Sequence, residues 1–497
     1  MLRVVLAGAL IALFATTGCG EDEYLAEPVH ALSVEALMKP ETCRECHPKH
    51  YEEWSGSMHA YAAVDPVFLA MNARGQNETA LGDFCVNCHA PMAVRTGATQ
   101  GGGLDLANLP SELSGVTCYF CHNVASVDGT HNAQLTLAMD QHMRGGITDP
   151  RPNRAHRSSY SQLMDSTKLE SASMCGACHD IVTSTDFAPK AVELERTFQE
   201  WHTTVFNQPK VGRSCSAAGC HMQTHRKENI ANLPNFVERT RHNHEFPGID
   251  VALTDFPQRE RQLDAVRYLL DLSVRAEICV ARILDGSWVR VRLDNLTGHA
   301  FPSGAAQDRR VWVEVVATRG EQTFAAGVVP DGVPATVAEA ADPTNFWLLR
   351  DVVHDELGHE AHMFWDVAEV AQKATLPPPD KLNPSQALRV KDYRIVDRDG
   401  KSFVPERVTL RVRVRPVGLD VIDDLIDAGY DPGVRERMPT FDLLPLRNSE
   451  VKPWSEHLTL EWTEELAKDP QLGFETADRI QTIAGGVCVG QSARTAR

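Results

Sequence analysis

The chain has 497 residues, of which 43% are hydrophobic and 23% charged, and it carries a formal charge of −18. That composition fits a globular protein with a real core, of about two to four domains by length. The acidic balance excludes nucleic acid as a partner, because a phosphate backbone needs a basic surface, and it suits a partner with a cationic patch. A single apolar run, at the N-terminus, excludes a polytopic membrane protein.

Residues 1–18 read as an export signal: Arg3 is the positive start, and Val4 to Ala15 is too short to span a bilayer. The segment ends Ala15-Thr16-Thr17-Gly18-Cys19, small residues then a cysteine, as in a bacterial lipoprotein. The expectation is lipid attachment at Cys19, a flexible tether over 19–40, and a periplasmic or cell-surface place on the outer membrane. Thr16 departs from the leucine usual at its position, and an ordinary signal peptide cut nearby is the alternative.

Ten of the thirteen cysteines then fall into five pairs, each followed directly by a histidine. Four are C-x-x-C-H: Cys43 and Cys46 with His47, Cys85 and Cys88 with His89, Cys118 and Cys121 with His122, Cys175 and Cys178 with His179. The fifth, Cys215 and Cys220 with His221, has a wider gap. Chance would give roughly 0.01 matches to the short form in such a chain. The chemistry explains the pattern: two thiols form thioethers with one porphyrin, and the next residue ligates its iron. Zinc or a disulfide framework leaves the five histidines unexplained. The expectation is five covalently bound haem c groups.

Residues 41–254 should be mostly helical or irregular, with short helices over Pro48–Ser57 and Leu194–Phe206. Loops are expected at Gly101–Gly103 and at Asp149–Pro152. Residues 255–275 are expected to link the halves, with an amphipathic helix over Asp255–Ser273 carrying Leu263, Val266, Leu269 and Leu270 at helical spacing. From 276 to 497 the pattern changes to period two, as in Ser287–Asp294, Arg310–Val316 and Val408–Arg415, and predicts an immunoglobulin-like β-sandwich with short helical inserts at Leu419–Ala428 and Gly433–Met438. The fold class expected is therefore α+β. Cys279 and Cys488 sit in strand-like runs near opposite ends of this half and are expected to pair, with two buried free thiols as the alternative.

Trp54-Ser-Gly-Ser-Met-His59, Cys88-His-Ala-Pro-Met92, Gly115-Val-Thr-Cys118, Glu200-Trp201 and Cys220-His-Met222 resemble the multihaem cytochromes c related to tetrahaem cytochrome c and hydroxylamine oxidoreductase. Gly298-His-Ala-Phe-Pro-Ser-Gly304 with Arg309-Arg310 resembles an element of the β domain fused to many of them. The resemblance implies a clan holding both electron carriers and enzymes. Five haems and no C-x-x-C-K motif lower the hydroxylamine oxidoreductase and nitrite reductase readings. The distal iron ligands expected are His59, His156, His244 in preference to His242, and His299. His142, His131, His202 and His225 compete for the remaining iron, and His142 is chosen. His354, His359 and His362 are read as surface or haem-facing histidines.

The function expected is an electron-transfer relay between redox proteins or cytochromes. Its rivals are an oxidoreductase acting on a small nitrogen or sulfur compound at one open haem, and a subunit of an extracellular electron conduit.

Overall fold

The computed structural model describes residues 30–100, 104–233, 238–283, 286–443, 460–464 and 487–490, the last as backbone. The export signal, Cys19 and the expected loop at 101–103 lie outside the described residues.

The first half is built from short pieces. Helix α1 (Pro48–Ser55) starts with proline at its first position and buries Glu53 and Trp54. Helix α2 (Pro66–Thr79) is capped by Asp65, whose carboxylate accepts from the backbone N–H of Val67 and Phe68. Helix α3 (Thr197–Thr203) is shorter than the expected Leu194–Phe206, because Glu193–Glu195 pairs as a strand with Ile181–Val182. Three further short ladders complete this half, of which 142–145 with 157–160 is parallel. Its apolar clusters are small.

Helix α4 (Arg259–Asp271) begins later than the expected Asp255, since Pro257 precedes Gln258 at φ 57°. It buries Leu263, Val266 and Leu270 against the second half.

That half is a sandwich of two antiparallel sheets. One orders β1 (Val274–Ile283), β2 (Gly286–Asn295), β3 (Leu388–Ile395) and β4 (Val487–Gly490) as β3-β2-β1-β4. The other is built on Arg310–Arg319 and Arg407–Arg415, with Gln322–Ala326 and Phe441–Leu443 at its edges and Leu348–Leu349 and Leu460–Thr463 pairing off that path. Alternate residues Val289, Val291 and Leu293 meet Val311, Val313, Val315, Val408, Val412 and Val414 in one core, each fully buried or nearly so. Helix α5 (Leu419–Asp427) follows, and its Asp420 takes the guanidinium of fully buried Arg310. A first half of short helices with small ladders and a second half dominated by antiparallel sheets make the fold α+β. Among the described residues no helix is long and apolar enough to cross a membrane.

In the first sheet Cys488 stands directly opposite Cys279 in register, and Cys279 is disulfide-bonded.

Candidate haem sites

The first four motifs lie on or at the end of short helices, Pro40–Cys46, Val86–His89, Cys118–His122 and Ser171–Gly176. Residues three apart on a helical turn share a face, so both thiols of a C-x-x-C pair point the same way. In three of these motifs the histidine N–H closes back on the carbonyl of the first cysteine: His47 on Cys43 at 2.7 Å, His89 on Cys85 at 3.1 Å and His179 on Cys175 at 2.9 Å. His221 makes the same closure to Cys215 at 3.2 Å despite its two extra residues. Gly219, at φ 84°, turns the chain so that the longer loop ends in the same geometry.

Four motif histidines each face a second histidine from far along the chain. His47 faces His156 with ring centres 6.3 Å apart, His122 faces His244 at 6.2 Å, His179 faces His59 at 6.2 Å and His221 faces His299 at 6.3 Å. With metal–imidazole bonds of about 2 Å, two rings sharing one ion stand roughly 6 Å apart. The spacing is too wide for packed rings and fits one iron between them, so these residues suit haem.

The rings are held from behind. Nδ1 of His47 lies 2.6 Å from Ile230 O, that of His122 2.6 Å from Arg144 O, that of His221 2.7 Å from Pro247 O, and that of His299 2.7 Å from Ala300 O. A proton on Nδ1 bonded to a carbonyl leaves Nε2 as the free lone pair and fixes the ring plane. Burial pulls His59 down to about 3, and His244 likewise, while His156 and His179 fall to about 4, so each ring is neutral above that range.

His299 is placed from the first half. Glu200 on α3 accepts from Ala300 N–H at 3.1 Å and from the Ser303 hydroxyl at 2.6 Å, and Gly304 N–H donates to Thr197 Oγ1 at 2.9 Å. The Gly298–Gly304 loop of the sandwich is thereby fastened beside the fifth motif.

His89 differs. Its ring stacks on Phe68 of α2 at 4.1 Å and 3°, its Nδ1 lies 3.1 Å from Ala62 O, and among the described residues no histidine ring stands opposite it. His142, expected to close the remaining iron, lies elsewhere: it sits in the ladder beside the third motif, with Nδ1 3.1 Å from Asp140 Oδ2. The other competitors are also turned away, His131 to Gln134, His202 to Phe198 and His225 toward Glu228. His242 bonds Ser166 at 3.0 Å. His362 lies among Asp420, Asp424 and Glu360, where Arg310 pairs with Asp420 and Arg350 with Glu360.

Thiols of different motifs approach one another. Cys43 meets Cys118, Cys88 meets Cys178, and Cys175 meets Cys215 within hydrogen-bonding reach. The first motif therefore neighbours the third, and the fourth neighbours both the second and the fifth. Sequence reading offers no route to this order, nor to Phe246, whose ring lies against both His59 and His244.

Residues 42–123 match the model of the family described as cytochrome c554 and c-prime, a span that holds the first three motifs. No curated protein matches the chain. Among solved structures, a penta-heme cytochrome c552 from Thermochromatium tepidum is similar in fold, with a TM-score of 0.55 and 19% identity over 84% of this chain and 98% of that one. The segment with the first three motifs is thus similar to that cytochrome family, and the fold of the chain is similar to that of a penta-heme cytochrome c.

Proposed function

We propose that the chain is an exported pentahaem relay, anchored by lipid at Cys19 to the outer membrane and passing electrons between other redox proteins. The observation that carries the relay is the set of four facing histidine pairs at 6.2–6.3 Å. Haem c supplies one-electron ferric–ferrous chemistry when bound. The chain's residues do the rest. At four sites the paired imidazoles would hold an iron from both sides and leave no place for a substrate there. Backbone carbonyls fix the ring planes and the tautomer of His47, His122, His221 and His299, which would limit reorganisation when an electron passes. Neighbouring motif thiols join the first site to the third and the fourth to the second and fifth, and Cys121 of the third lies near Cys175 and Cys178 of the fourth. The localisation rests on the N-terminal sequence, and Cys19→Ala should release the protein from membranes. A wild-type protein that is already soluble after cell fractionation would remove the anchor.

A second reading is favoured by one observation: His89 has no histidine opposite it among the described residues. That site is then open to a small exogenous ligand, the arrangement an oxidoreductase on a nitrogen or sulfur compound needs. Carbon monoxide titration of the reduced protein separates the readings. One equivalent bound per five haems marks the second site as open. No binding makes the chain a relay at all five.

A further inference from the structure

The segment 244–247 serves three sites at once. His244 faces His122 of the third motif, and Pro247 O receives Nδ1 of His221 in the fifth at 2.7 Å. Between them, the Phe246 ring lies 4.6 Å from that of His59, which faces His179 of the fourth, and 5.5 Å from that of His244. Phe246 therefore touches the distal ring of two neighbouring sites, at interplanar angles of 53° and 76°.

Its backbone is unusual. Phe246 has φ 45°, in the left-handed region that a bulky residue avoids, and it precedes proline, which restricts it further. Such a conformation persists only where the surroundings impose it. The surroundings do so from both sides. His244 N–H donates to Glu53 Oε2 at 3.0 Å, Arg241 grips the same carboxylate at 2.7 and 2.8 Å, and Arg261 holds Glu245. Glu53 is 3% exposed and Arg241 4%. A residue that only filled a gap would need no left-handed backbone and no buried ion pair behind it.

We propose that Phe246 is a positioning residue that sets the imidazole planes of His59 and His244 together, so that the third and fourth sites are tuned as a pair. The inference rests on the reading of those two histidines as axial ligands. Ring-plane orientation governs the g-values of low-spin ferric haem, which gives a signature that ordinary packing does not move.

The test uses the full haem-loaded chain, with haem count by mass showing that each variant folds. His59→Ala and His244→Ala first identify which two low-spin signals belong to these ligands, each converting one haem to high spin. Phe246→Leu keeps an apolar side chain and removes the ring. Phe246→Gly removes the ring and also relieves the backbone. Both should shift the same two signals and leave the others in place, and Phe246→Tyr should restore them. Unmoved signals in the Leu and Gly variants would overturn the proposal, as would a shift of every signal, or recovery with Gly. If neither histidine variant produces a high-spin haem, the ligand reading fails and takes the proposal with it.

Discussion

Single side chains in this protein are asked to hold imidazoles still, and the cost of losing one can be read from burial. His156→Ala should leave the five-haem mass unchanged, turn one haem high-spin and let it bind carbon monoxide when reduced. An absorption spectrum of the reduced variant under carbon monoxide checks this, and a fully low-spin variant would remove His156 as a ligand. Glu53 is a second residue with a defined role. It is buried between Arg241, Arg261 and the backbone of His244. Glu53→Gln breaks the buried pair and leaves the Arg241 guanidinium with only the partly exposed Glu228 as counter-charge, a loss of up to about 3–5 kcal/mol. Denaturant unfolding should show that loss, whereas Lys49→Ala, at an exposed pair with Glu228, should change stability by no more than ~1 kcal/mol.

Elements matter here mainly as brackets for residues. The fifth motif works as a turn where the others use a helix, and Gly219 at φ 84° is what lets His221 return to Cys215. Gly219→Ala should lower the haem count from five toward four, read by mass, because a Cβ is unfavourable at that φ by about 1–2 kcal/mol. In the sandwich, β1 and β4 align Cys279 with Cys488. A link closing a loop of about 210 residues stabilises by up to ~5 kcal/mol in the chain-entropy model. Thiol labelling of the denatured, unreduced protein should find neither cysteine free, and Cys279→Ser should lower the melting temperature of the second half.

At the scale of the whole molecule, the two halves meet through charge as well as through His299. Glu195 ends a ladder strand of the first half and bonds Gln307 beside Asp308 of the second. Burial pushes both carboxyls up to about 7, with Arg309 opposing the rise at Glu195 and Glu195 adding to it at Asp308. The folded state thus holds protons that the unfolded chain releases near its ordinary carboxyl range. Stability from these groups is full below that range and is lost as pH rises through about 7. Melting temperature should therefore fall between pH 5 and pH 8 by more in the wild type than in Asp308→Asn. Equal slopes would mean that Asp308 is ionised in the folded protein.

Attachment chemistry is local, and so it was legible in the chain. Two thiols and a histidine within five or seven residues can bind one porphyrin whatever surrounds them, and the period-two runs Ser287–Asp294 and Val408–Arg415 can bury only one face. The histidines that face the motif rings were partly legible, since His59, His156, His244 and His299 sit in short stretches with their own pattern. Which ring each one faces was not. His156 faces His47 rather than a ring near it in sequence, and His59 faces His179, because the pairing depends on how distant loops fold against one another. His142 shows the limit from the other side: it is the one chosen from sequence among four competing histidines, yet Asp140 and the 142–145 ladder hold it beside the third motif. The strained Phe246 between two sites, and the order in which the sites neighbour one another, exist only once the fold has brought separate segments together. Local covalent chemistry is written in adjacent residues, whereas axial pairing and site order are long-range contacts that no single segment encodes.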